Sequence, residues 1–164
     1  MITTPRLKLR RAQAGDLDDL HRILSNPDAM RYWDTLPHVD KAQTKAFLDA
    51  TIHAPPDQSD DFMLEHQGRV IGKAGCWRIP EIGIILHPDY WGKGLASEAL
   101  SAAILHVFDT LPVESLTADV DPRNTASLTL LNRFGFVETG RAEKTVLLGN
   151  EWCDSVYLEL RRPS

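Results

Sequence analysis

Apolar residues recur along the chain with two periods, and the places where the period changes mark the elements. In residues 5–11, Leu7 and Leu9 alternate with Arg6, Lys8 and Arg10, which predicts a half-exposed strand. Residues 16–25 carry Leu17, Leu20, Ile23 and Leu24 at helical spacing, and Asn26-Pro27 ends that helix. A short helical turn from Asp28 bears Met30, Tyr32 and Trp33, a loop covers 34–39, and another helix runs from Asp40 to about Ile52. Residues 54–60 have no apolar face and read as a loop. Alternation returns in 62–66 and 69–77 around Gln67-Gly68, the pattern of a hairpin. Residues 81–86 form a short apolar strand closed by His87-Pro88-Asp89. An amphipathic run that begins at Ser97 then reaches Phe108, with the helix ending near Asp109. A strand at 114–120 precedes a helix that Asn124 can cap, with Leu128, Leu131 and Phe134 on its buried side and Gly135 at its end. Strands at 140–148 and 151–160, joined through Gly149-Asn150, finish the chain.

This order, β-α-α-α-β-β-β-α-β-α-β-β, predicts an α+β (α/β layered) sheet with helices rather than a purely parallel one. At 164 residues, with no internal repeat and no linker-like stretch, residues 1–164 read as a single domain. Neither a signal peptide's apolar core nor a run long enough to span a membrane is present, so we expect a cytoplasmic protein with no membrane partner. A net charge of −5 argues against nucleic acid as a partner and suits a cationic acceptor. Cys76 and Cys153 are too few for a disulfide scaffold and are expected as reduced thiols. The histidines at 21, 38, 53, 66, 87 and 106 stand singly, so no metal site is expected.

The chemistry concentrates between the 81–86 strand and the helix after it. Gly92 and Gly94, followed by Ala96, let the chain curl so that several N–H groups converge at a helix start, where the dipole is positive. Such a turn holds phosphate or pyrophosphate, and it also serves as a purely structural turn. It has neither the Gly-x-Gly-x-x-Gly spacing of dinucleotide folds nor the Gly-x-x-x-x-Gly-Lys-Ser/Thr of P-loops.

Trp91-Gly92-Lys93-Gly94-Leu95-Ala96 resembles the pyrophosphate loop of the GNAT acyltransferases, Gln/Arg-x-x-Gly-x-Gly/Ala, from Gly94 onward, with Trp91 where Gln or Arg is usual. Tyr-Trp-Gly-Lys-Gly-x-Ala-Ser-Glu-Ala is similar to the RimJ/RimL branch. So are the opening Thr-x-Arg-Leu-x-Leu-Arg and the later Asn-Pro-Asp-x-Met-Arg-Tyr-Trp. Asn-x-x-Ser-x-x-Leu at Asn124, closed by Gly-Phe, resembles the segment that runs beside the pantetheine arm of coenzyme A. The resemblance spans residues 4–160. It implies a GNAT fold: a mixed, mostly antiparallel sheet splayed at its two middle strands and flanked by helices. It also implies acetyl-CoA as cosubstrate and an amine as acceptor.

Under that resemblance, backbone N–H groups of Gly92, Lys93, Gly94, Leu95, Ala96 and Ser97 hold the pyrophosphate, with the Lys93 charge at the rim. Backbone groups of Ile84, Ile85 and Leu86 and the side chain of Asn124 meet the pantetheine arm. Tyr32 and Trp33, with His38 nearby, face the acceptor. Glu81 is the expected base for the amine, directly or through water, though a glutamate at a strand end is also simply exposed. The family's tyrosine, seven residues after the asparagine, is Leu131 here, which leaves Ser127 as the candidate proton donor to the leaving thiolate. No covalent nucleophile is evident, so direct attack by the amine is expected. The chain reads as an N-acetyltransferase acting on a primary amine, as a monomer or homodimer. The alternative is a noncatalytic acyl-CoA sensor that keeps the fold.

Overall fold

The computed structural model describes all 164 residues. Eight strands form one sheet: β1 (Ile2–Thr3), β2 (Lys8–Arg10), β3 (Asp60–His66), β4 (Arg69–Arg78), β5 (Glu81–Leu86), β6 (Ser115–Val120), β7 (Val137–Leu148) and β8 (Glu151–Arg161). The helices are α1 (Leu17–Leu24), α2 (Lys41–Ile52), α3 (Leu95–Thr110) and α4 (Thr125–Arg133).

The strand order is β1-β2-β3-β4-β5-β6-β8-β7. All neighbours are antiparallel except β5 and β6, which run parallel and share a single register pair, Glu81 with Thr117. A further bond from Thr117 N to the Pro80 carbonyl, 3.0 Å, closes the base of this pair. Beyond it the two strands part, as expected of the two middle strands, and one edge of β5 is left without a partner strand. The other edge is held tightly by β4. A Cβ on Gly72 would lie 2.2 Å from the Ile85 carbonyl oxygen, so only glycine lets the strands approach this closely.

Helices cover both faces of the sheet. The larger core joins Leu95, Ala99, Leu100, Ala103 and Val107 of α3 to β3, β4, β6 and β8, and includes Leu131 and the fully buried Phe136. These α3 positions recur every three or four residues and make one apolar stripe. The smaller core sets Leu20, Ile23 and Leu24 of α1 and Leu48 of α2 on Met63, Val70 and Ile85. Asp40 caps α2 by accepting from Gln43 N at 2.9 Å.

Several boundaries differ from the sequence expectation. The strand expected at 5–11 shrinks to β2, and a two-residue strand, β1, precedes it with too few residues to show alternation. The segment from Asp28 is a run of turns that does not extend into a helix, with bonds from Met30 N to the Asn26 carbonyl and from Trp33 N to the Met30 carbonyl, both 3.1 Å, and a longer one from Arg31 N to the Asp28 carbonyl, 3.5 Å. Helix α3 begins at Leu95, two residues before the expected Ser97, because Gly94 in a left-handed conformation (φ 75°) turns the chain straight into it. Strand β7 starts at Val137 rather than Gly140, because pairing with β8 holds residues whose side chains lie mostly exposed.

Candidate active site

Two cavities flank the gap where β5 and β6 part, and Tyr32, Trp33, Ile84, Asn124, Ser127 and Leu130 line both. The larger, about 700 Å³, runs from this junction past Ile85 and Leu86 to Gly92, Gly94, Leu95, Ala96 and Ser97. The smaller, about 340 Å³, runs from the junction to Glu81, Trp77 and the facing parts of β6 and β8.

The loop before α3 is shaped by Gly92 (φ 72°) and Gly94 (φ 75°), a backbone region that other residues enter at a cost. No bond to a loop, cap or side-chain acceptor uses the N–H groups of residues 92–97. The last three of them open α3, whose first turn has no upstream acceptors. They sit at the positive end of a 16-residue helix. Trp91, where the motif usually has Gln or Arg, donates its indole N–H to the Leu86 carbonyl at 3.0 Å and so ties the loop to the end of β5. Free donors at a helix start, beside a free strand edge, fit a ligand with a phosphate end and an amide-bearing arm.

Lys93 contributes differently from expectation. Its side chain does not line the cleft; the ammonium lies 5.6 Å from the centre of the Tyr90 ring. The side-chain cations on the cleft are instead Arg31 and Arg133, neither of them in an ion pair, against one carboxylate, Asp28. No spacing in the sequence singles these arginines out; only their place in the fold does.

At the junction, Asn124 caps α4. Its Oδ1 accepts from Ser127 N at 3.2 Å, and its Nδ2 donates to Ser127 Oγ at 3.1 Å. The Ser127 oxygen is thus engaged as an acceptor, and its proton is free to be donated. Leu131, at the family's tyrosine position, is 5% exposed and packs into the core, so no hydroxyl comes from there.

The smaller cavity holds Glu81, whose Oε2 accepts from Trp77 Nε1 at 2.9 Å and whose Oε1 accepts from Arg78 at 3.2 Å. Asp34, Asp119, Asp121 and Asp154 add carboxylates, while Tyr32, Trp33, Phe47 and Trp77 supply aromatic walls. Its cations are largely neutralised. Lys73 forms a buried ion pair with Asp61 and faces the Trp33 and Phe47 rings at 6.0 and 5.8 Å, and Arg78 is on Glu81. Arg123 pairs with Asp121 at 2.8 Å and holds that carboxyl below its usual range, chiefly through the hydrogen bond. Cys153 also lines this cavity, with Arg123 NH2 3.5 Å from its sulfur and no histidine partner to activate it.

The structure therefore brings Glu81, Ser127, Asn124, Tyr32, Trp33, Ile84–Leu86, Gly92 and residues 94–97 around two adjoining cavities. It leaves His38 outside both cavities. That ring nitrogen lies 2.7 Å from Thr44 Oγ1, and the ring packs edge-on to Phe47 at 6.3 Å, so it supports a wall residue rather than facing the acceptor. Burial, then the nearby His21, lowers its pKa.

The family model for the acetyltransferase (GNAT) domain matches residues 6–137. The uncharacterized N-acetyltransferase p20 of Bacillus licheniformis is 31% identical over 149 residues, 85% of this chain and 83% of that protein. Spermidine N(1)-acetyltransferase of Escherichia coli K12 is 29% identical over 162 residues, 93% of this chain and 84% of that protein. In fold, RimL, a ribosomal L7/L12 alpha-N-protein acetyltransferase solved with coenzyme A, matches with a TM-score of 0.85 over 98% of this chain and 96% of its own, at 18% identity. Every residue lining the larger cavity falls inside the family match. The chain thus belongs to the GNAT acetyltransferase family as an acetyl-CoA-dependent N-acetyltransferase with RimJ/RimL-like relatives.

Proposed function

We propose that the protein transfers the acetyl group to a primary amine of a small polycation, by direct attack of that amine on the thioester carbonyl. The observation that carries this reading is that two adjoining cavities share Ile84, Asn124 and Ser127 in their walls. One has free amides at its end, and the other is walled by aromatic rings and carboxylates.

The donor supplies an activated acetyl thioester, and the remaining work falls to this chain. The amides of residues 92–97 hold its diphosphate, and the open edge of β5 at Ile84, Ile85 and Leu86 aligns the arm. As the carbon–nitrogen bond forms and the carbon–sulfur bond breaks, Glu81 takes the proton the amine gives up, directly or through a water. The sulfur takes up a proton relayed through the Ser127 hydroxyl or a water it orders. That hydroxyl is reprotonated from solvent as it gives its own, and the proton left on Glu81 is released to solvent, so the net transfer is one proton from amine to thiol. Asn124 keeps that hydroxyl turned as a donor.

Asp34, Asp119 and Asp154 have no cationic side-chain partner, so a second positive charge on the acceptor finds compensation there. Tyr32, Trp33, Phe47 and Trp77 suit the methylene stretches and ammonium groups of such a molecule. The spermidine N(1)-acetyltransferase relative supports this acceptor class. The buried free thiols of Cys76 and Cys153 suit action in the cytoplasm.

An amine panel tests the reading. Spermidine and related polyamines are expected to exceed monoamines and neutral peptide amino termini in kcat/KM by roughly tenfold or more, with a KM that rises with salt. Equal use of monoamines, or a preference for peptide amines, overturns the polycation assignment. Cofactor binding with no thiol release from any amine overturns the catalytic roles given to Glu81 and Ser127.

A further inference from the structure

The bend between β1 and β2 reaches across the sheet to the start of α3. Glu98, in the first turn of that helix, accepts from Thr4 Oγ1 at 2.5 Å, from Arg6 N at 2.8 Å and from Arg6 Nε at 2.8 Å. Burial alone would raise the Glu98 pKa, but the hydrogen bonds from Thr4 and Arg6 and the Arg6 charge outweigh it and hold the carboxyl below its usual range. So oriented, Arg6 donates from NH1 to the Lys93 carbonyl at 2.7 Å. Its NH2 lies 3.4 Å from where a Cβ on Gly94 would be. Arg6 does not line the cleft, whereas Gly94 does.

In a trans peptide the carbonyl and the following N–H point in opposite directions. A Lys93 carbonyl drawn out to Arg6 therefore leaves the Gly94 N–H directed away from Arg6. Gly94 has no Cβ to oppose a rotation of this peptide, so the alternative, with the carbonyl turned into the cleft, has little steric barrier. That flip would replace a donor with an acceptor where a phosphate must sit.

We propose that Arg6, held by Glu98, is a positioning residue for the acetyl donor: it keeps the Lys93 carbonyl outside the cleft and the Gly94 N–H aimed into it. The inference rests on residues 92–97 being the diphosphate cradle. The guanidinium, rather than charge alone, is required, because one group must reach both the Glu98 carboxylate and the Lys93 carbonyl through separate N–H groups.

The test compares two donors, acetyl-CoA and S-acetylpantetheine, which lacks the nucleotide and both diphosphate phosphates. In Arg6→Ala, kcat/KM for acetyl-CoA is expected to fall roughly 10- to 100-fold through KM, with kcat within about twofold and S-acetylpantetheine little affected. Arg6→Lys is expected to recover only a small part of the loss, and Glu98→Gln to show the same donor-selective loss at smaller size. Equal losses for both donors, or full rescue by Arg6→Lys, overturn the role of Arg6 while wild-type preference for acetyl-CoA leaves the cradle intact. A wild type that uses both donors equally removes the cradle and this inference together. Should Arg6→Ala fail to fold, Arg6→Gln and Glu98→Gln carry the same comparison.

Discussion

Individual residues carry this chemistry in ways the sequence shows unevenly. Glu81 and Ser127, the proposed base and proton donor, could be singled out in the sequence because each sits at a fixed place in a recognisable segment. Arg6, Arg31 and Arg133 could not, because an arginine on a polar face looks alike whether or not the fold turns it to a cleft. Glu81→Gln removes the proton acceptor but keeps a shape that Trp77 and Arg78 can still contact. Turnover is expected to fall about 100-fold or more, with CoA affinity unchanged by calorimetry; an unaltered kcat removes Glu81 from the mechanism. Gly94→Ala places a Cβ at φ 75° and 3.4 Å from Arg6 NH2. We expect it to cost about 1 kcal/mol of stability in denaturant unfolding and also to weaken acetyl-CoA binding. His87 gives a pH signature. It is buried, its Nδ1 accepts from Asp89 N at 3.1 Å, and burial, followed by the Arg22 charge, lowers its pKa from the ordinary 6.5. Below about pH 6.5 the unfolded chain therefore takes up a proton that the native one refuses. Stability is full above that pH and declines as pH falls toward the native value. His87→Gln should flatten this part of the stability profile, and an unchanged slope assigns the decline to other groups.

At the scale of elements, the apolar pattern located α1, α2, β3, β4, β5 and β6: α1 and β6 bury one face each, while β4 is buried on both from Val70 to Cys76. It missed β1, which is too short to alternate, and it started β7 late, because an edge strand exposed along most of its length has little apolar pattern to read. The start of α3 was misplaced for another reason: Gly94 acts through backbone conformation, which hydrophobic spacing does not record. Helix α4 shows an element and a site sharing one residue, since Asn124 both caps the helix and sets the Ser127 hydroxyl. Asn124→Ala should cost about 1 kcal/mol in thermal or denaturant unfolding. It should also lower turnover, though less than Ser127→Ala does, because it leaves the hydroxyl in place but no longer held. A loss of stability with turnover intact would leave Asn124 as a cap alone.

For the whole molecule, the proposed site lies where two neighbouring strands do not fully pair. Cores pack on both faces of the sheet while β5 and β6 separate beyond Glu81 and Thr117, and the two cavities flank that gap. The loop, the open edge and the capped helix lie far apart in sequence, yet their order could be read from the chain. The carboxylate-lined cavity proposed for the acceptor could not, because Asp34, Asp119 and Asp154 come from separate segments that only the closed sheet assembles. The most direct test of the account follows the backbone amides of residues 92–97 by ¹⁵N–¹H NMR during titration with acetyl-CoA and, separately, with S-acetylpantetheine. Large shifts of these amides with acetyl-CoA, absent with S-acetylpantetheine while Ile84, Ile85 and Leu86 respond to both, are the predicted result. Saturable acetyl-CoA binding that leaves the 92–97 amides unmoved would contradict it.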